Sequence, residues 1–150
     1  MDDKDKALLQ LLQQNCKKSI KKLSRKLGLP ISTVYTRIKN LEKEGVIKGY
    51  TTLIDEKKLG FKVKAFILVS YSPSEVSQIE VAKRIAKFPQ VQGVYIIAGE
   101  WDMIVEVIEK DVDSLGEFVI NKLRNVEGVH KTLTCTVLKK IKEELKVPTM

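Results

Sequence analysis

The chain has 150 residues, 43% of them hydrophobic, enough for one domain or two small ones with packed cores, which excludes a disordered chain. Its net charge of +8 is uneven: residues 1–60 carry 14 basic and 7 acidic side chains, residues 61–150 carry 13 and 12. A basic half joined to a near-neutral half points to a polyanion-binding module fused to something else, although charge alone fits a solvated lysine-rich surface as well.

In chain order, Asp2 or Asp3 caps a first helix over about 3–14, with Leu8, Leu9 and Leu12 in one stripe beside Ala7. Asn15 closes it. Ser19 caps a second helix with Ile20, Leu23 and Leu27 inward and a ring of lysines and arginine outside. Gly28 ends that helix, where a left-handed residue costs least. Leu29-Pro30 makes a turn. The third helix spans about 31–44, with Val34, Ile38 and Leu41 at the spacing of a buried stripe and Gly45 as its stop. The segment VIKGYTTLI (46–54) reads as a short β-wing. Residues 55–62 form a charged linker, so 1–54 is the first domain and 63–150 the second.

From Val63 the period becomes strand-like. AFILVSY (65–71) is a buried strand. Ser74 caps a helix over 75–88 with Val76, Ile79, Ala82, Ile85 and Ala86 inward, and Pro89 stops it. VQGVYIIAG (91–99) and MIVEVIE (103–109) form a hairpin around Gly99-Glu100-Trp101-Asp102. Asp111 or Asp113 caps a helix to about 124 with Val112, Leu115, Val119 and Leu123 inward. The last strand is VHKTLTCTVL (129–138), and 139–146 adds a charged tail with room for one helical turn. The fold class is α+β: a winged helix-turn-helix followed by a ferredoxin-like βαββαβ domain.

The third helix has the two faces that a DNA reader needs. Its outward residues are Ser32, Thr33, Tyr35, Thr36, Arg37, Lys39 and Asn40. Ser and Thr near the helix start suit phosphates or base edges. Arg37 suits guanine and Asn40 adenine. Lys17, Lys18, Lys21, Lys22 and Lys48 suit phosphates, which predicts affinity that falls steeply with salt. In the second domain, Gly99 permits positive φ, and its exposed backbone can hold an α-carboxylate and α-amine, with Asp102 as a charged or capping group. Thr132, Thr134 and Thr136 share one strand face and could line a polar pocket. The plainer reading, an ordinary turn and exposed strand threonines, is the favoured one from residues alone.

Taken together, the chain resembles the Lrp/AsnC (feast/famine) family. The resemblance rests on the Asp2-Asp3-x-Asp5 opening, LSRKLGL (23–29), VYTRIKNLEKEGVIKGYT (34–51), Lys58-Leu59-Gly60 and Gly99-Glu100-Trp101-Asp102. It implies a winged helix-turn-helix on double-stranded DNA joined to a ligand-binding, dimerising domain of the kind called RAM. It also implies homodimers that assemble towards octamers, and an amino-acid effector held between dimers near residues 99–102, with the threonine face as a looser guess. Two positions depart from the family pattern. Pro30-Ile31 stands where a capping Ser is usual, which leaves Ser32 for that task, and Trp101 stands where Tyr is common.

The resulting expectation is a sequence-specific transcriptional regulator that responds to an amino acid. The competing readings are an effector-independent DNA-compacting protein and a sirohaem-decarboxylase-like enzyme, for which His130 is the one histidine available. No enzyme chemistry is expected: no nucleophile–base pair or paired carboxylates stand out. Cys16 and Cys135 give neither a disulfide framework nor metal-ligand spacing, so no metal or cofactor is expected. The charged start MDDKDK and the lack of a long apolar run point to a cytoplasmic chain without a membrane partner.

Overall fold

The computed structural model describes residues 1–149. The chain divides into two compact units. One contains Met1–Leu53 and the tail from Lys142, and the other contains Ile54–Ile141.

The first unit opens with α1 (Asp3–Gln14), capped by Asp2 in a reciprocal capping box with Asp5. Helix α2 (Ile20–Leu27) is capped by Ser19 and stopped by Gly28. Helix α3 covers Ile31–Lys43. Their apolar stripes meet in a core of Leu8, Leu23, Leu27, Val34 and Leu41, with Ile20 and Ile38 packed at its edge. The wing position differs from expectation. No strand forms between Lys43 and Val63. The N–H groups of Val46 and Ile47 both donate to the Leu41 carbonyl, and the chain beyond them finds no partner strand. A wing needs two strands in register, and a single extended segment supplies one. This segment is tied to α3 instead by Tyr50, whose hydroxyl donates to Glu42 Oε1 at 3.0 Å. Burial first, then that carboxylate, pushes the Tyr50 phenol above its ordinary value.

The tail also differs from expectation. Residues 139–146 form no helical turn. Instead the Gln13 amide clasps the backbone of Val147: Val147 N–H donates to Gln13 Oε1 at 2.6 Å and Gln13 Nε2 donates to the Val147 carbonyl at 2.9 Å.

The second unit runs β1 (Val63–Tyr71), α4 (Gln78–Ala86), β2 (Val91–Ile96), β3 (Met103–Glu109), α5 (Val112–Asn121) and β4 (Val129–Thr136). Short 3₁₀ turns cover Glu56–Leu59 and Leu123–Asn125. The sheet order is β2-β3-β1-β4, antiparallel throughout. One face carries Ala65, Ile67, Val69, Met103, Val105 and Val107, all buried against Val81, Ile85, Leu115, Phe118 and Val119 of the two helices. Phe118 meets Phe88 edge to face, with ring centroids 5.4 Å apart. The other face has no helix over it and shows Phe66, Leu68, Tyr95, Ile104 and Leu133 in the alternate register.

Both helices are set slightly differently from the sequence reading. Ser77, not Ser74, caps α4, because Ser74 spends its hydroxyl on the local backbone of Val76. Val76 and Ile85 are buried as expected and Ala82 is half-buried, but Val81 takes an inward position and Ile79 and Ala86 are exposed. In α5, Asp111 is the cap, Val112 at the first turn faces solvent, and Phe118 takes the inward position.

Candidate functional site

Helix α3 starts with Pro30 at its cap position and no side-chain cap. Ser32 does not fill that role; its carbonyl accepts the Thr36 hydroxyl at 2.9 Å. The first-turn N–H groups are therefore left without a side-chain acceptor, and they carry the positive end of the helix dipole. At about 100° per residue, Ser32, Tyr35, Thr36, Lys39 and Asn40 fall on the side opposite Val34 and Leu41. All five are exposed, while Thr33 is half-buried at their edge. Lys39 Nζ lies 5.5 Å from the Tyr35 ring centroid and 3.3 Å from Glu42 Oε2. This leaves a strip of hydroxyl, phenol, amide and ammonium groups suited to base edges and phosphates.

Arg37 is placed differently. It sits about 60° from Val34 around the helix, beside the buried stripe rather than opposite it. Its Nη1 lies 2.8 Å from Asp2 Oδ1 and 2.8 Å from Asp5 Oδ1, and its buried Nε has no partner. The Asp5 carboxylate first, then Asp2, holds the guanidinium pKa above its ordinary value. Of the fork expected to read guanine, Nη1 is thus engaged with the Asp2 cap and with Asp5 of α1, and it ties the start of the chain to the reading helix. What hid this from sequence reasoning is the long separation: Asp2 and Asp5 stand more than thirty residues before their partner.

Lys17, Lys21, Lys22 and Lys48 are exposed and Lys18 is half-buried. Among the described residues none of these five has an ion pair. Four of them lie in or just before α2 and Lys48 follows α3, and such unpaired ammonium groups are of the kind that phosphate contacts use.

In the second unit, Gly99 has φ of +132° and open space where a Cβ would stand. A side chain there would be strained by the backbone rather than by its neighbours. Glu100 is exposed and Trp101 half-buried. Asp102 is a latch. Its Oδ2 accepts the Tyr71 N–H at 2.7 Å, its own N–H donates to the Val69 carbonyl at 3.1 Å, and its carbonyl accepts from Ile97 N–H at 2.9 Å. Gln78 Nε2 adds a long contact of 3.4 Å to the same carbonyl. One residue therefore joins the end of β1, the β2–β3 hairpin and the start of α4. Tyr71 and Gln78 were not legible as parts of this loop, since neither belongs to a motif.

Thr132, Thr134 and Thr136 lie opposite Val69, Ile67 and Ala65, on the helix side of edge strand β4. Thr132 accepts a hydrogen bond from Arg124 Nε at 3.2 Å. Thr132 and Thr136 stand about 13 Å apart along the strand. Thr132 is at the Asp102 end and Thr136 is remote from it, so the register spreads the threonines along the edge rather than around one loop. Among the described residues, no group of three or more His, Cys, Asp or Glu gathers to hold a metal ion, and no helix is long and apolar enough to cross a membrane.

A helix-turn-helix joined to an antiparallel sheet domain with a latched loop is the architecture of a DNA-binding regulator with a ligand-binding domain. The comparisons agree. Residues 1–48 match the winged helix-turn-helix DNA-binding family, and residues 64–147 match the Lrp/AsnC ligand binding domain. The chain is 44% identical over 146 residues to an uncharacterized HTH-type transcriptional regulator of Pyrococcus furiosus, covering 97% of each chain. It is 38% identical to the transcriptional regulator AzlB of Bacillus subtilis, covering 99% of this chain and 95% of the relative. A crystal structure of the regulator NMB0573 of Neisseria meningitidis in complex with L-Met superposes with a TM-score of 0.94 at 28% identity, covering 99% of this chain and 96% of that one. E. coli AsnC shares the fold, with a TM-score of 0.90 at 22% identity over 96% of each chain. The chain belongs to the Lrp/AsnC family of transcriptional regulators.

Proposed function

We propose that this regulator reads a pseudo-palindromic DNA site as a homodimer and that an amino acid tunes its DNA affinity or its assembly. The observation that carries the reading is the Gly99–Asp102 loop in a domain whose structural neighbour was solved with L-Met. An α-amino acid presents a carboxylate and an amine. The unhindered backbone at Gly99 and the acidic Glu100 offer groups of matching kind, and the Asp102 latch holds them in place. The effector acts by binding one assembly state more tightly than another.

The helix-free sheet face supports self-association. Leu68, Ile104 and Leu133 stand side by side on this face with Phe66 next to them, and the Lys64–Glu106 pair, whose charged atoms stand 2.6 Å apart, lies at one end. Two copies packed on this face make a sandwich, and further pairing of dimers leads to an octamer. The chemistry of the chain is binding rather than catalysis, with no resident cofactor and a cytoplasmic site of action.

Trp101 is the only tryptophan and lies in the loop, so its fluorescence is the direct test. Titration with each of the twenty amino acids is expected to give a saturable change with one or two of them. The same compounds are expected to shift the mobility of a protein–DNA complex. No change with any of the twenty would sink the effector reading and favour effector-independent DNA compaction.

A further inference from the structure

The C-terminal tail is tied down at both of its ends. The chain leaves the first unit after Leu53 and returns to it after Ile141. Just before the return, Lys140 Nζ stands 2.9 Å from Glu56 Oε1, a carboxylate that follows the outward crossing. Lys140 and Glu56 both belong to the second unit, so the roots of the two connections are pinned together there. After the return, the Gln13 amide of α1 takes both backbone groups of Val147, at 2.6 and 2.9 Å. Terminal residues fray unless something holds them, and here two separate devices do so.

The sequence prepares the second device. Pro148 confines the residue before it to extended backbone. In that form the N–H and C=O of one residue point to the same side, as in a hydrogen-bonded strand pair. The Gln13 carboxamide has an acceptor and a donor side by side, and it takes the place of a neighbouring strand. It binds backbone, so its partner is selected by position along the tail and not by side chain. Gln13 lies in the last turn of α1, and α1 shares one core with α2 and α3 through Leu8. Arg37 adds a polar tie between α3 and α1. A restraint on α1 is therefore a restraint on the reading helix.

The closure is weak enough to open. Ile141, Leu145 and Val147 stay 84%, 75% and 67% exposed, so little apolar burial holds the tail. Two exposed hydrogen bonds oppose the entropy of ordering a chain end, and the balance is small.

We propose that residues 142–149 form a releasable strap. Closed on Gln13, it limits the freedom of the helix-turn-helix unit and so sets the half-site spacing at which the dimer binds. With the strap open, the single connection at Leu53–Ile54 lets the unit reach more spacings, each with more motion to lose on binding. The spacing consequence rests on the dimeric DNA reading above, and the strap itself does not.

The experiment compares the full chain with Gln13→Ala, which removes the clasp, and Val147→Pro, which removes the donor N–H. Val147→Ala is the control, because it keeps both backbone bonds. Hydrogen exchange of the peptide containing Val147 should be slowed in wild type and Val147→Ala and fast in the other two. A dye on the exposed Cys16, in a Cys135→Ser background, reports the motion of the first unit by time-resolved anisotropy without DNA. Its fast component should grow in Gln13→Ala and Val147→Pro only. Affinity is then measured for duplexes whose half-sites stand at the best spacing or about 5 base pairs, half a turn, away from it. Gln13→Ala and Val147→Pro should bind the best site about three- to tenfold more weakly and discriminate less between spacings. Fast exchange at Val147 in wild type, or anisotropy alike in all four proteins, overturns the strap. Altered anisotropy with an unchanged spacing preference overturns its role in site choice. Equal affinity of wild type for specific and random duplexes would mark failure of the DNA reading instead, with exchange and anisotropy still deciding the strap.

Discussion

Arg37 Nη1 stands 2.8 Å from the Asp5 carboxylate, and the same nitrogen stands 2.8 Å from Asp2. A residue of the reading helix is thereby joined to the capping box of α1. With Nη1 committed in this way, Arg37 is expected to support DNA binding by holding α3 in position rather than by touching a base. Arg37→Gln is expected to lower the melting temperature of the helical unit and to weaken DNA binding evenly across operator variants. A double-mutant cycle with Asp5→Asn should show strong coupling. Loss of preference at a single base position in Arg37→Gln would restore it as a base reader.

The same cluster sets an acid dependence. The Asp5 backbone N–H first, then the Arg37 guanidinium, holds Asp2 below its ordinary value of 3.8. A carboxylate with a depressed folded-state pKa contributes stability that is fully present above its unfolded value and is lost as pH falls through the folded one. Melting followed from neutral pH downward should show this contribution intact to about pH 5 and then falling. Asp2→Asn should flatten part of that decline. An unchanged acid profile in Asp2→Asn would remove Asp2 from the account.

Asn40 is on the open face of α3, and among the described residues its side chain has no hydrogen-bond partner. Asn40→Ala should leave the fold intact and cost about 1–3 kcal/mol of discrimination at one base position, as a lost amide–base contact does. A binding-site selection with both proteins checks this, and an unchanged consensus would shift reading to Tyr35 and Ser32.

Asp102 holds Tyr71 N–H at 2.7 Å. Asp102→Ala leaves that backbone donor unmatched and is expected to cost about 1–3 kcal/mol of stability. Its Trp101 emission should change even without effector, because the loop loses its tie to β1. Wild-type stability in Asp102→Ala would show that water replaces the carboxylate without penalty.

Leu133 is 47% exposed on the helix-free sheet face. Leu133→Asp places a charge where a second copy packs, and sedimentation should report smaller species with unchanged secondary structure. An unaltered mass would move the dimer interface to another surface.

Much of this protein was legible in its sequence because local chemistry and periodicity act over a few residues. Ser19 and Gly28 bound α2, the Val34–Leu41 stripe orients α3, and alternation along 65–71 and 103–109 defines the central strands. The order of the elements gave the α+β class, and the linked motifs gave the family. Less was decided where competing local choices lay close together. Ser74 and Ser77 are both good caps, and the second is selected because the fold turns the Ser74 hydroxyl onto the backbone of Val76.

The remaining features depend on contacts between distant residues. A wing at 46–54 was read from β-branched composition, but pairing needs a partner strand that this chain does not bring to it. Arg37 carried the residue type of a guanine reader, yet its position beside the buried stripe puts it within reach of two carboxylates from α1. Asp102 was a turn residue in the sequence and a three-way latch in the fold. Residue type determines what a side chain can bind, and periodicity determines which face it occupies. The tertiary structure decides which partner arrives first, because Coulomb and hydrogen-bond energies depend on distances that the chain sets only after it has folded.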